Sequence, residues 1–398
     1  MTGVLLSEGH RAGPAGAVPK ASLRVAMVAN TAWYLVNFRL NLMRALQSAG
    51  CEVVAVAPHN GPQVARLQAA GIRFAAVPIS GAGTNPLQEL RSVAALWQTL
   101  RRQRADLVFS YTPKGNLYSA LACIASGRAY VPNVSGLGRA FIRPSLITRV
   151  VKLLYRLTFG RARHVFFQNQ EDLDTFVRAG LVPAALAERL PGSGVDLARF
   201  QPAAPTPQAP EAPIFLLVAR MLWDKGVGEF VAAARQVRLH HPLARFQLLG
   251  FADVANPSAI PRRQLDDWVA EGVVSYLGPA DDVRPWLAQA DCVVLPSYRE
   301  GVPRTLLEAA ASGRPVITTD APGCRDTVRD GVTGFLCRPA DADDLADKLL
   351  RFIHLPPAAR SAMGSAGRAF MEQHFDERQV IARYLDLVRG QAVPAPGA

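Results

Sequence analysis

Residues Asp291–Thr319 read DCVVLPSYREGVPRTLLEAAASGRPVITT. The opening CVVL is short, apolar and rich in valine, and Pro296-Ser297 closes it, so it reads as a buried strand. A loop follows, then a helical stretch after Pro303, then a Gly-Arg-Pro break and the β-branched run PVITT. Strand, helix and strand in this order make a βαβ unit and therefore a parallel sheet. In such sheets ligands bind beyond the carboxyl ends of the strands, which is where the loop Tyr298–Pro303 falls.

Two carboxylates punctuate the unit. Glu300 lies on the loop, and Glu308 follows after seven intervening residues, on the helix. Gly301 permits close backbone approach beside Val302, and Pro303 fits the first helical turn, where its missing N–H costs nothing. The N–H groups near Arg304–Leu307, Leu306 and Leu307 included, can then face phosphate oxygens. Glu308, about one turn deeper, can accept two hydrogen bonds from vicinal hydroxyls such as a ribose diol. The separation matches a nucleotide diphosphate sugar: ribose at Glu308, diphosphate between, sugar at Glu300. The plainer alternative is a helix-dipole partner plus a surface charge.

The alternation extends both ways along the chain. Upstream, LRVAMVAN (Leu23–Asn30), CEVVAVAP, FAAVPI, DLVFSY and HVFFQN read as strands, with helices over Asn37–Gly50, about Leu87–Gln103 and from Asn116. Nearer the opening stretch come IFLLVAR, a helix about Glu229–His240, FQLLGF and VVSYLG, and beyond it GFLCRP. Between the two sets, Gln201–Pro213 holds five prolines in thirteen residues and marks a linker. The expected organisation is a disordered lead-in over 1–22, a Rossmann-like domain over 23–200, a Pro-rich linker over 201–213, a second Rossmann-like domain over 214–370, and a helix over 371–390 that can cross back to the first domain. Two such domains leave one deep cleft, the default site.

Composition narrows the partners. With 398 residues, 49% of them apolar, the chain can bury more than one core. Five cysteines stand far apart without a CxxC pair, which argues against zinc, iron–sulfur and disulfide scaffolds and fits a reducing cytosol. The first 22 residues lack a signal peptide's apolar core, and no run approaches the ~20 apolar residues of a membrane span. The net charge of +12 is uneven: residues 1–205 carry 23 Lys/Arg against 9 Asp/Glu, the remainder 21 against 23. The first half therefore faces something anionic, nucleic acid or a membrane surface. No nucleic-acid-binding module or aromatic stacking motif accompanies the charge, so no nucleic-acid partner is expected.

LVARMLWDKGVGEF (Leu217–Phe230) places Arg220 at a strand's end and Lys225 before a glycine and a helix. Two cations at such a turn suit a diphosphate, the alternative being solvated loop charges. With these residues in place, the chain resembles the retaining GT-B glycosyltransferases of family 4, from Leu23 onward. Glu300 and Glu308 match that family's E-x7-E motif, and DGVTGFLCRPAD extends the match. NTAWYLVNFRLNLMRAL, the Thr84-Asn85-Pro86-Leu87 turn and ARMLWDKGVGEF resemble bacterial enzymes that extend undecaprenyl-diphosphate-linked sugars with N-acetylgalactosamine or another N-acetylhexosamine.

The resemblance implies two Rossmann-like domains across a cleft and a UDP-sugar donor of hexose or N-acetylhexosamine type. It implies an acceptor linked to polyprenyl diphosphate, as in surface-polysaccharide or protein N-glycan assembly. Carried over, Arg220 and Lys225 bind the diphosphate and stabilise the leaving group, Glu308 holds the ribose, and Glu300 holds donor-sugar hydroxyls near the anomeric carbon. Backbone N–H groups from Gly301 to Leu307, past Val302 and Pro303, complete the cradle, and Gly278 lies where the family places the nucleobase. Asp326 departs from the pattern, standing where the family commonly has Glu. The family uses no essential metal. Asp341-Ala342-Asp343 spells a DxD motif, but after Arg338-Pro339 and before DDLADKLL it reads as a helix N-cap with dipole-matched acids.

In the first domain, Lys114 at a strand-to-helix junction, Asn30-Thr31 after the first strand, and Gly136 are candidate acceptor or phosphate contacts. Gly138–His164 holds seven basic residues and no acid, with Arg143, Arg149, Lys152 and Arg156 among them. Leu146, Ile147, Val150, Val151, Leu153, Leu154 and Leu157 give the same segment an apolar stripe. A basic amphipathic helix of this kind reads as membrane-facing, on the cytoplasmic side of the cell membrane. Its alternative is a core helix with a solvated basic face. Two other functions fit parts of the pattern: a GT-B nucleotide-sugar epimerase, and a non-catalytic membrane scaffold for polysaccharide assembly.

Overall fold

The computed structural model describes residues 22–79, 85–137, 146–202 and 212–391. Of the lead-in expected over 1–22 all but Ser22, of the linker expected over 201–213 the residues 203–211, and Arg143 lie outside the described residues. In the first half, seven strands form one parallel sheet: β1 (Arg24–Val28), β2 (Glu52–Ala57), β3 (Arg73–Ala76), β4 (Leu107–Tyr111), β5 (Ala129–Val134), β6 (Val165–Phe167) and β7 (Ala187–Arg189). Their order is β3-β2-β1-β4-β5-β6-β7. In the second half β8 (Ile214–Val218), β9 (Arg245–Leu249), β10 (Ser275–Tyr276), β11 (Cys292–Leu295), β12 (Val316–Thr319) and β13 (Gly334–Cys337) pair in the order β10-β9-β8-β11-β12-β13. Each sheet reverses direction beside its first strand, between β1 and β4 and between β8 and β11. That crevice is where an open α/β sheet receives ligands.

The strands are apolar throughout because both faces are covered. Val25 and Met27 point into one apolar cluster, Ala26 and Val28 into the other. The helix α1 (Ala32–Ser48) covers one face through Leu35, Val36, Leu42, Met43 and Leu46, spaced as a 3.6-residue period requires, and α2 (Gly61–Ala69) joins it through Val64 and Leu67. On the opposite face lie α3 (Pro86–Arg102), α4 (Pro113–Ile124) and α5 (Leu146–Phe159), with α4 between its neighbours. Beyond β6 comes α6 (Gln170–Arg178), a helix that the short polar segment QEDLDTFVR hides from a periodicity reading.

In the second half α7 (Val227–His240), α8 (Arg262–Ala270) and α11 (Ala342–Ile353) share one face, and α9 (Arg284–Gln289), α10 (Arg304–Ala311) and α12 (Pro357–His374) the other. The last helix, α13 (Glu377–Gln391), returns to the first sheet. Its Val380, Tyr384 and Val388 enter the same cluster as α1, and the Tyr384 hydroxyl accepts a hydrogen bond from Asn133 Nδ2 at 3.0 Å. The crossing is pinned where Glu377 N donates to the Val195 carbonyl and Val195 N to that of Phe375. Asn41 Nδ2 adds bonds to Asp196 Oδ2 (3.0 Å) and Glu377 Oε1 (2.6 Å).

Candidate active site

At the end of β8 the chain turns through Trp223–Lys225 into α7, and Gly226 makes the turn possible. Its φ is +70°, and a Cβ there would lie 2.1 Å from the Pro296 carbonyl oxygen. That approach sets Lys225 beside the exit of β11. The Lys225 ammonium pairs with the Glu300 carboxylate, and Ser297 Oγ donates to the same oxygen at 2.8 Å. The Glu300 main chain is held in turn by its own N–H, which donates to the Pro322 carbonyl at 3.0 Å. Arg220 stands apart: it is exposed at the end of β8, and its side chain makes no hydrogen bond or ion pair among the described residues.

Glu308 also has a cation, which the sequence reading did not assign. Arg304 Nε lies 2.8 Å from Glu308 Oε1, an i,i+4 pair on α10. The same guanidinium donates to the Asn37 carbonyl of α1 and sits 5.3 Å from the Phe38 ring centroid, so it reaches across the cleft. Burial pushes the Glu308 carboxyl above the usual carboxylate range, and the Arg304 charge opposes this.

The backbone donors differ from the expectation. Pro303 stands one residue ahead of α10, in extended conformation, and its carbonyl accepts from the N–H groups of Leu306 (3.0 Å) and Leu307 (3.4 Å). Those two amides are spent inside the helix, and both side chains lie in the core. The N–H groups of Gly301, Val302, Arg304 and Thr305 have no acceptor among the described residues. Four open amides at one helix start, two of them in its first turn, still form an anion-receptive edge.

A pocket of about 180 Å³ runs from this edge to the first half. Trp33, Asn37 and Phe38 of α1 face Arg220, Gly250, Asp281 and Glu308 across it. Gly278 does not line this pocket but is bonded to Gly250, which does: its carbonyl accepts from Gly250 N at 2.9 Å, its φ is +75°, and a Cβ there would meet open space.

The candidate contacts of the first half are mostly engaged within the chain. Thr31 caps α1, accepting from Tyr34 N at 3.1 Å, while Asn30 is half-buried after β1. Lys114 Nζ pairs with Glu89 Oε1 at 2.7 Å, so it is not a solvated cation. Gly136 (φ +113°) meets Gly301: a Cβ on Gly136 would lie 3.1 Å from Gly301 N. A Cβ on Gly301 would lie 2.5 Å from the Ser135 carbonyl oxygen and 2.7 Å from Gln168 Oε1. The close approach that requires glycine at 301 is therefore made by the first half of the chain. Val302 likewise packs on Gly192.

Helix α5 divides its apolar stripe. Val151 and Leu154 pack on the core with Tyr155 and Phe159, whereas Val150, Leu153 and Leu157 are each more than half exposed, beside Arg149 and Lys152. Arg156 lies at the edge of this face but is tied down, donating to the carbonyls of Ala179 (3.1 Å) and Gly180 (3.3 Å) after α6. No helix among the described residues is long and apolar enough to cross a membrane. Asp341 caps α11, its side chain accepting from Asp344 N at 2.9 Å. No group of three or more His, Cys, Asp or Glu is placed to hold a metal among the described residues. All five cysteines are buried and free.

Two family models match the chain: "Glycosyl transferase 4-like domain" over residues 36–192 and "Glycosyl transferases group 1" over 212–354. Among curated proteins it is 27% identical, over 92% of its own length and 98% of the relative's, to the N,N'-diacetylbacillosaminyl-diphospho-undecaprenol alpha-1,3-N-acetylgalactosaminyltransferase of Campylobacter jejuni. It is 25% identical, over 70% of its length and 74% of the relative's, to the UDP-Gal:alpha-D-GlcNAc-diphosphoundecaprenol alpha-1,3-galactosyltransferase of Escherichia coli. Sucrose-phosphate synthase from Thermosynechococcus elongatus superposes with a TM-score of 0.77 at 20% identity, covering 93% of this chain and 99% of that one. Anabaena HepE in complex with UDP-glucose gives 0.74 at 20% identity, covering 92% and 99%. The fold is GT-B, with two parallel sheets facing across a cleft. The chain is a glycosyltransferase, built of a glycosyl transferase 4-like domain followed by a glycosyl transferases group 1 domain.

Proposed function

We propose that this chain moves a hexose or N-acetylhexosamine from a UDP-sugar to a saccharide carried on polyprenyl diphosphate, with retention of anomeric configuration. The observation that carries the reading is the edge beyond β8 and β11. There Lys225 pairs with Glu300, while Arg220, Glu308 and the open amides of Arg304 and Thr305 border one pocket. The relatives from C. jejuni and E. coli, which by name act on sugars linked to diphospho-undecaprenol, support the acceptor class.

In this reading Arg220, Lys225 and the amides of Gly301, Val302, Arg304 and Thr305 receive the diphosphate, and Glu308 accepts from the ribose hydroxyls. Gly278 borders the base. Lys225 exchanges part of its pairing with Glu300 for a phosphate oxygen, which frees the carboxylate to accept from donor-sugar hydroxyls. The acceptor oxygen bonds to the anomeric carbon on the face from which the diphosphate departs. The bond from that carbon to the diphosphate oxygen breaks, and the acceptor proton passes to that leaving oxygen. Two cations and aligned amides stabilise the charge that develops there, so the step calls for no essential metal.

The exposed Val150, Leu153 and Leu157 with Arg149 and Lys152 would rest on an anionic membrane surface, peripherally and from the cytoplasmic side, near the lipid acceptor. The test is transfer from UDP-sugars to a synthetic polyprenyl-diphosphate-linked saccharide in chelator, with the product's anomeric configuration read by NMR. An α-linked product from an α-configured donor supports the reading. An inverted product, or no transfer from any UDP-sugar, contradicts it.

A further inference from the structure

Glu300 is carried on a loop of the second half, yet its main chain is gripped by the first. Asn169 is buried at the end of β6, with 1% of its surface exposed. Its Oδ1 caps α6 by accepting from Asp172 N at 2.8 Å. Its Nδ2 donates across the cleft to the carbonyls of Gly301 (3.0 Å) and Glu300 (3.3 Å), and lies 3.0 Å from Asp172 Oδ2. Asp172, fully buried, pairs through its other oxygen with Arg299, the residue before Glu300. Glu171 adds Arg299 at 3.5 Å and Arg325 at 3.3 Å.

We propose that Asn169, supported by Asp172 and Arg299, is a positioning residue for transfer: it orients the Glu300–Gly301 main chain, so that Glu300 is correctly aimed only when the two halves are closed on each other. The geometry leaves the loop little freedom. The Glu300 N–H is held by the Pro322 carbonyl from the second half, and the Glu300 and Gly301 carbonyls by the Asn169 carboxamide from the first. Opposed hydrogen bonds on the two sides of one residue fix the direction of its Cα–Cβ bond. The contact of Gly301 with Ser135 and Gln168 admits no side chain, so the halves meet here main chain to main chain at Ser135, with the Gln168 side chain beside it. A loop fixed in this way has its geometry before the substrate reacts, which is what raises kcat as opposed to binding.

The inference rests on Glu300 acting on the donor sugar, and the experiment separates the two. In Asn169→Ser a hydroxyl keeps the helix cap but is too short to reach the two carbonyls. Its kcat should fall about 10–100-fold, the loss expected from one or two buried hydrogen bonds. Its affinity for UDP should stay near wild type, because Glu308 and Arg220 are untouched, and its thermal unfolding should fall by only a few degrees, the cost of leaving two carbonyls and Asp172 Oδ2 without this donor. Asp172→Asn should show the same split to a smaller degree. In a Glu300→Gln background, which keeps a measurable residual rate, adding Asn169→Ser should cost little more, since the effect travels through Glu300. An unchanged kcat in Asn169→Ser, a fall matched by lost UDP affinity, or full additivity with Glu300→Gln overturns the inference. Full activity in Glu300→Ala instead removes the reading of Glu300 on which the inference stands.

Discussion

The two sheets share a strand order, but their cleft-facing edges are furnished differently. The second sheet presents charge at short range: Lys225 against Glu300, Arg304 against Glu308, and Arg220 without a partner among the described residues. The first sheet meets that edge with the Asn169 carboxamide, the Ser135 carbonyl, Gly136, and the Asn37 carbonyl and Phe38 ring of α1, and its charged contacts there are the carboxylates of Asp172 and Glu171, paired with Arg299 and Arg325. Of its positive charge, Arg199 lines the pocket with Glu308, while Arg149 and Lys152 lie exposed on α5. In the proposed function one wall neutralises the charged donor, while the other holds the first in place and carries the face proposed to meet the membrane. This division also explains why a ligand-free site can bury carboxylates: each is neutralised by a cation that a phosphate or hydroxyl can later displace.

If the second wall supplies the charge for leaving-group departure, its variants should suffer most. Glu300→Ala and Lys225→Ala should each lower turnover by about 100–1000-fold with unfolding unchanged, measured by transfer of labelled sugar. Near-normal turnover in either would erase the contrast between the walls. Glu308→Ala should act on binding, weakening UDP by about 10–100-fold in calorimetry, the worth of one charge-assisted hydrogen bond once the Arg304 pairing that the ribose displaces is set against two. On the outward face of the first wall, Arg149→Gln with Lys152→Gln should weaken binding to anionic liposomes by about 30-fold, at roughly 1 kcal/mol per charge, and leave turnover on a soluble acceptor analogue intact.

A smaller effect comes from pH. The Glu308 carboxyl titrates above the usual range because it is buried, so it takes up a proton at a higher pH than an exposed glutamate. Its protonated form accepts fewer hydrogen bonds. UDP affinity should therefore begin to fall, as pH is lowered, earlier than ordinary carboxylate titration predicts, and that early fall should vanish in Glu308→Gln. Least of all should Asp341→Asn matter: Asn caps a helix as well as Asp does, so transfer in chelator should match wild type.

The second wall was legible because its signals are local. Glu300, Gly301 and Glu308 fall within nine residues of one strand–loop–helix, and the apolar strand runs announce the parallel sheets. The Arg304–Glu308 pair was also within reach, since i,i+4 spacing shows it, but its crossing to Asn37 depends on a distance of 267 residues along the chain. The first wall was read poorly for the same reason. Asn169 looks like an ordinary helix cap from sequence, and its second role exists only once Gly301 is brought against it. Lys114, Thr31 and Gly136 were correctly placed at strand ends, yet their partners Glu89, Tyr34 N and Gly301 are set by packing that periodicity does not encode. On α5, composition showed an amphipathic basic helix, but only the fold shows which leucines face outward.

The most direct test of the account is calorimetric titration of the purified protein with UDP in the presence of chelator, alongside GDP and ADP. Saturable binding of UDP at one site per chain, stronger than that of the other two and weakened at least tenfold in Glu308→Ala, is the predicted result. Binding that needs a divalent metal, or that is equally strong in Glu308→Ala, would contradict the placement of the donor between Glu300 and Glu308.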